Sequence, residues 1–188
     1  MAATAEVKIV IVGDGAVGKT ALMIMYSQGT FPVDYIPTVY DDYNKSETYK
    51  DQLVNLVLWD TAGQEEYDAI RTLSYDKTNV FLVAFCCTQR ESLLRCKTKW
   101  YPELKKYFSG EPPPIVLVGT KCDLRDMDPS SPNAVKDNEI KEIMRDIGAK
   151  AYITCSAKSG IRVAEVFKTA LDVHFEKDNQ SEGCCSIL

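Results

Sequence analysis

Five short apolar runs, at 7–12, 53–59, 80–87, 115–118 and 152–155, alternate with stretches whose apolar residues recur at helical spacing, at 21–28, 92–108, 139–147 and 163–175. Runs of four to eight consecutive apolar residues predict strands buried on both faces. Their alternation with helices predicts βαβ units around a parallel sheet. One polar alternating stretch, 43–50, stands directly ahead of the run at 53–59. It predicts a hairpin that adds one antiparallel edge strand. The expected fold is therefore α/β and doubly wound, with a six-stranded, mostly parallel sheet and helices on both faces. The run Glu111-Pro-Pro-Pro cannot continue a helix and is expected to be a connector. Asp178 to Gly183 is polar without apolar periodicity and is expected to be a flexible tether.

At 188 residues, the chain suits one domain, expected over 1–177, with a short tail over 178–188. A chain of this size buries about 70% of its unfolded surface and needs no disulfide or structural metal. With 22 Lys plus Arg against 27 Asp plus Glu, the net charge of −5 disfavours a general grip on nucleic acid. The seven cysteines are odd in number and lack the paired spacing of a zinc site. No apolar run reaches the roughly 18 residues of a membrane span, so a cytoplasmic chain is expected unless something is attached to it.

The segment Gly13-Asp-Gly-Ala-Val-Gly-Lys19-Thr20 fits the pattern GxxxxGK[ST] and lies between a buried strand and a helix, where that pattern must lie. Glycines at 13, 15 and 18 let successive N–H groups turn around a polyphosphate at a helix N-terminus, and any side chain at Gly15 is expected to intrude. Lys19 supplies a compact positive charge to the terminal phosphates, and the Thr20 hydroxyl can ligate a Mg²⁺ that bridges phosphate oxygens. Asp60 ends the strand 53–59 and is expected beside that cation.

Thr120-Lys-Cys-Asp123 and Cys155-Ser-Ala-Lys158 end two further strands, and both ends are expected at one crevice. A carboxylate at Asp123 can accept the N1–H and N2–H₂ donors of guanine together, whereas adenine offers no such pair. The N–H of Ala157 can then meet O6, while the stems of Lys121 and Lys158 pack against the flat base with their charges solvated.

On these motifs the chain resembles a small GTPase of the Rho family, nearest its Rac-like members, from Val7 to the last residue. The run from Phe31 to Asp41 resembles the first switch and that from Trp59 to Asp68 the second. Thr120, where Ras-like proteins usually carry Asn, and Trp100-Tyr-Pro-Glu103 narrow the likeness to Rho. The resemblance implies a P-loop NTPase fold and GTP or GDP with Mg²⁺ as cofactors. It further implies a nucleotide site of Gly13, Asp14, Gly15, Ala16, Val17, Gly18, Lys19, Thr20, Ala21, Phe31, Tyr35, Pro37, Thr38, Asp60, Gly63, Thr120, Lys121, Asp123, Ser156, Ala157 and Lys158. Metal ligands would be Thr20, Thr38 and Asp60, and the catalytic set Gln64, Lys19 and Thr38. Phe31 would lie against the guanine, Gly63 would donate its N–H to the γ-phosphate, and Gln64 would orient the attacking water. No arginine in the motifs is placed as an internal finger. Intrinsic hydrolysis is then expected to be slow, and an activating protein to raise it by up to about 10⁵-fold. Exchange factors, activating proteins, effectors and dissociation inhibitors are the implied partners of a monomer, with effectors reading the GTP form in cytoskeletal signalling.

Two departures stand out. Met127 to Asn133 occupies the place of the family's helical insert but is short and proline-bearing, so a loop is expected there. Ala69 and Ile70 stand where an Arg-Leu pair is common, which bears on regulator contacts. Cys185-Ser-Ile-Leu188 is a CaaX ending whose Leu favours geranylgeranylation. The residues ahead of it carry no basic run, and Cys184 is expected as a second lipidation site that holds the chain at the cytoplasmic face of the plasma membrane. His174 and the cysteines at 86, 87, 96 and 155 are expected to be structural, while Trp59 and Tyr67 are expected to face partners. A P-loop kinase for a small acceptor and a GTP-binding scaffold that does not hydrolyse remain as alternatives.

Overall fold

The computed structural model describes residues 5–33 and 40–182, with side chains described through residue 176. Its sheet has six strands: β1 (Ala5–Gly13), β2 (Tyr40–Tyr49), β3 (Gln52–Thr61), β4 (Val80–Cys86), β5 (Ile115–Thr120) and β6 (Ala151–Thr154). They lie in the order β2-β3-β1-β4-β5-β6, with every pair parallel except the edge pair β2–β3. The expected sheet and its antiparallel edge strand are both present. Lys50 and Asp51 close the hairpin with φ of 47° and 62°, the left-handed conformation a two-residue turn demands when both central positions must have φ > 0.

Successive β1 residues feed two cores. Val7, Ile9 and Ile11 face α1 (Lys19–Gln28) and α7 (Val163–Glu182), where Tyr26 stacks on Phe167 at 3.7 Å. Val10 and Val12 face the other side, packed by Trp100, Leu104, Ile140 and Ile143. Burying both faces explains the unbroken apolar runs. Cys86, Cys87, Cys96, Cys122 and Cys155 are all buried as free thiols within these layers. Among the described residues, no helix is long and apolar enough to cross a membrane.

The helices differ from expectation in three places. The stretch 92–108 is not one regular helix: α3 (Arg90–Arg95) passes through a wide π-type turn at Cys96–Trp100 into α4 (Tyr101–Phe108). Pro102 has no N–H, and its ring would crowd the carbonyl of residue 98; the chain widens just ahead of it, and Tyr101 N–H reaches back to Cys96 O. Two short helices, α2 (Asp68–Leu73) and α5 (Cys122–Met127), leave apolar residues exposed (Ile70, Leu73, Leu124, Met127), so no buried stripe announced them. Finally, α7 runs to Glu182, so the backbone over 178–182 is helical where a tether was expected. The remaining helix, α6 (Asp137–Asp146), lies where periodicity placed it, and the segment between α5 and α6 is turns and loop.

Candidate functional site

The C-terminal ends of β1, β3, β4 and β5 open toward one edge, where the Gly-rich turn joins β1 to α1. Gly13 has φ +150°, and a Cβ there would lie 2.3 Å from Ala84 O, because β1 and β4 pair Gly13 with Ala84. Gly18 (φ +105°) caps the N-terminus of α1. The turn therefore needs glycine where it meets β4 and where it enters the helix. Gly15 differs: a Cβ there would meet only Gln64 Cγ, at an ordinary 3.9 Å. The expected intrusion is not into protein, so glycine at 15 answers to what lies on the open side of the turn.

Lys19 is 6% exposed, and its ammonium donates to Gly13 O at 2.8 Å and Asp14 O at 2.9 Å. Burial pulls its pKa down to about 8, against the raising influence of Asp60 and Asp14. A buried cation spanning the turn both braces it and directs positive charge to the helix N-terminus, where anions are favoured. Thr20 Oγ1 donates to Asp60 Oδ2 at 2.5 Å, and Asp60 is fully buried at the end of β3. A hydroxyl and a carboxylate brought together beside a phosphate cradle fit Mg²⁺, which takes few protein oxygens and shares the rest with water and phosphate. No cluster of three or more His, Cys, Asp or Glu ligands occurs among the described residues.

The second switch-like segment reaches this cradle at Gly63. A Cβ on Gly63 would lie 2.4 Å from Asp14 C and from Gly15 N, and 2.5 Å from Gly13 O, so only a glycine backbone approaches this closely. Gln64 follows, exposed, with its side chain next to Gly15.

A cavity of about 230 Å³ lies beyond Gly18, walled by Phe31, Lys121, Asp123, Ala157 and Lys158 with Leu22 and Leu124. The remaining residues at its rim are Ala21, Thr120, Cys155 and Ser156. This is smaller than the roughly 300 Å³ at which drug-sized pockets begin and suits one planar base, with the phosphates left to the turn. Thr120 Oγ1 lies 2.5 Å from Val17 O and 2.9 Å from Phe85 O, tying the cavity wall to the phosphate turn and to β4. Lys121 Nζ donates to Ala16 O at 2.8 Å on the exposed side, so its solvated charge also braces the turn. Cys122 N–H donates to Cys155 O at 3.0 Å and joins the two loops that wall the cavity, and Ser156 Oγ accepts the Ser159 N–H. Burial pushes the Cys155 thiol up to about 12.

The structure thus brings together Gly13 to Ala21, Phe31, Asp60, Gly63, Gln64, Thr120, Lys121, Asp123 and Ser156 to Lys158. Tyr35, Pro37 and Thr38, and the lipidation candidates Cys184 and Cys185, lie outside the described residues. Sequence reasoning missed the supports behind the cradle. Asp14 accepts the Trp100 indole N–H at 2.8 Å and the Arg95 guanidinium at 3.4 Å. Arg71, 1% exposed, lies with Cζ 4.8 Å from the Trp100 ring centre. Compared with known proteins, residues 8–175 match the sequence model of the Ras family.

Proposed function

Because the chain belongs to the Ras family, we propose that it is a Rho-like, Rac-like molecular switch that binds GTP and GDP with Mg²⁺ and slowly hydrolyses GTP. The observation that carries this reading is the base-sized cavity with Asp123 in its wall, tied through Thr120 and Lys121 to the phosphate turn on which Gly63 rests. Guanine is selected because one carboxylate accepts two donors on its edge, and a site built to pair those donors rejects a base lacking them by about 10⁴-fold or more. Thr20 and Asp60, with Thr38 from the first switch, would hold Mg²⁺, which when bound would supply neutralising charge at the phosphates. Lys19 holds the same charge from the protein side, Gly63 offers its N–H to the terminal phosphate, and Gln64 orients the water that attacks it. Loss of that phosphate removes what the Gly63 segment and the Thr38 segment hold, which releases both loops and ends effector binding.

Thr120 and the Trp100-to-Glu103 run support the Rho-like assignment. Exchange factors, activating proteins and dissociation inhibitors would act on the two switches of a monomer, with Trp59 and Tyr67 facing them. Prenylation of Cys185, with lipidation of Cys184, would hold the chain at the cytoplasmic face of the plasma membrane, where cytoskeletal effectors are recruited. Denaturing the purified protein and identifying the released nucleotide by chromatography tests the reading. Stoichiometric GDP or GTP is expected, and a stoichiometric adenine nucleotide overturns it.

A further inference from the structure

Arg71 is an unusual residue to find fully buried, since a guanidinium out of water is costly unless every donor is met. All five of its N–H groups are met. Nε donates to Glu103 Oε1 at 3.0 Å, Nη2 to Glu103 Oε2 at 2.7 Å and Asp68 Oδ1 at 2.5 Å, and Nη1 to Ala62 O at 2.8 Å and Gln64 O at 3.3 Å. Burial opposes its charge, but the Glu103 and Asp68 hydrogen bonds outweigh that and hold it firmly protonated. With no donor left over, Arg71 cannot reach a phosphate as an arginine finger. What it does hold are the two carbonyls that bracket Gly63. β3 ends at Thr61 and the next helical turn begins at Glu65; Gln64 O also accepts the Tyr67 N–H at 3.3 Å as that turn starts, while Ala62 and Gly63 stand between strand and turn. Glu103 is itself anchored in α4 and also accepts the hydroxyl of buried Tyr75. The Trp100 ring supports Arg71 from one side, and its indole N–H grips Asp14 of the phosphate turn.

We propose that Arg71 is a positioning residue for GTP hydrolysis: through Ala62 O and Gln64 O it sets the Gly63–Gln64 peptide against the phosphate turn, and Glu103 sets Arg71. This rests on the GTPase reading above. A lysine at 71 keeps the charge but directs three donors from a single point, and cannot span carbonyls on one side and a bidentate carboxylate on the other.

The test is single-turnover hydrolysis by full-length protein preloaded with γ-labelled GTP, alongside release of a fluorescent GDP analogue. Misplacing reacting groups by about 1 Å costs on the order of 10²-fold in rate. Arg71→Lys is therefore expected to slow hydrolysis by at least about tenfold, and Glu103→Gln less, while GDP release stays near the wild-type rate in both. In a Gln64→Leu background, adding Arg71→Lys is expected to slow hydrolysis no further, an epistasis that a purely structural role would not produce. Wild-type hydrolysis in both single variants overturns the proposal. So does a loss that is undiminished in the Gln64→Leu background, or one that merely follows faster GDP release. A wild-type chain that holds GTP without cleaving it overturns the GTPase reading itself, whereas wild-type cleavage with unaffected variants overturns this proposal alone.

Discussion

Replacing Gly63 with alanine is the sharpest perturbation of the contact between the second switch-like segment and the phosphate turn. The new methyl would lie 2.4 Å from two backbone atoms, at Asp14 and Gly15, where ordinary contact begins at 3.4 Å. Something must move by about 1 Å. The phosphate turn cannot yield, because Gly13 is wedged against Ala84 O and the carbonyls of Gly13 and Asp14 are held by Lys19. The segment 62–64 must therefore lift, and with it the Gln64 peptide. A displacement of about 1 Å in a catalytic group costs on the order of 10²-fold, or about 2.7 kcal/mol of barrier. No strand pairing involves Gly63, so the fold and the base cavity should be unaffected. The assay is single-turnover GTP hydrolysis beside nucleotide affinity and thermal melting. Gly63→Ala is predicted to keep GDP affinity while losing about two orders of magnitude in hydrolysis, with a lowered melting temperature because the lifted segment strains the Arg71 bonds to Ala62 O and Gln64 O. Cleavage at the wild-type rate would refute the argument from close approach.

Two of the three glycines of the phosphate turn, Gly13 and Gly15, separate fold from function. Gly13→Ala adds a strained φ and a clash with Ala84 O, a cost of about 3 kcal/mol that should lower the melting temperature by roughly 6–12 °C. Gly15→Ala, with only Gln64 Cγ in ordinary contact, should melt like wild type and yet hydrolyse GTP more slowly; a large drop in melting temperature would contradict this. Thr20→Asn removes the hydroxyl that meets Asp60 and should weaken retention of Mg²⁺-GTP relative to GDP in a filter-binding assay, whereas equal retention counts against Thr20 as a metal ligand. Burial that raises the Cys155 thiol from 9.0 to about 12 leaves a thiolate fraction at pH 8 about 10³-fold below that of an unshifted thiol. Alkylation of Cys155 at pH 8, followed by mass spectrometry, should thus be far slower in native than in unfolded protein and should accelerate as the pH rises toward 12.

The mostly parallel sheet with its antiparallel edge strand and the Gly-rich turn were legible because their physics is local: apolar runs buried on both faces, and a glycine pattern at a strand-to-helix junction. The supports behind the site were not. Arg71 looks like a solvated helix residue until Glu103, 32 positions away, folds against it, and Trp100 meets Asp14 across 86 positions. Periodicity carries no trace of either pairing. Periodicity over 92–108 predicts one helix despite Pro102, and only the structure shows that the chain absorbs the proline as a π-type turn. α2 and α5 escaped notice because a short helix with exposed apolar residues leaves no periodic stripe to detect. The polar stretch after 177 misled in the opposite sense, since polarity argues against a buried face and says nothing against a helical backbone. At Gly15 the protein itself leaves room for a side chain, so the expected intrusion concerns what the turn would enclose.

The measurement that tests the central claim most directly is competition for nucleotide-stripped protein loaded with a fluorescent GDP analogue in Mg²⁺, chased with unlabelled GTP or ATP. The geometry around Asp123 predicts displacement by stoichiometric GTP and none by ATP even at about 10³-fold excess. Displacement by ATP at concentrations comparable to GTP would contradict guanine recognition at this cavity, and with it the reading of the chain as a GTP switch.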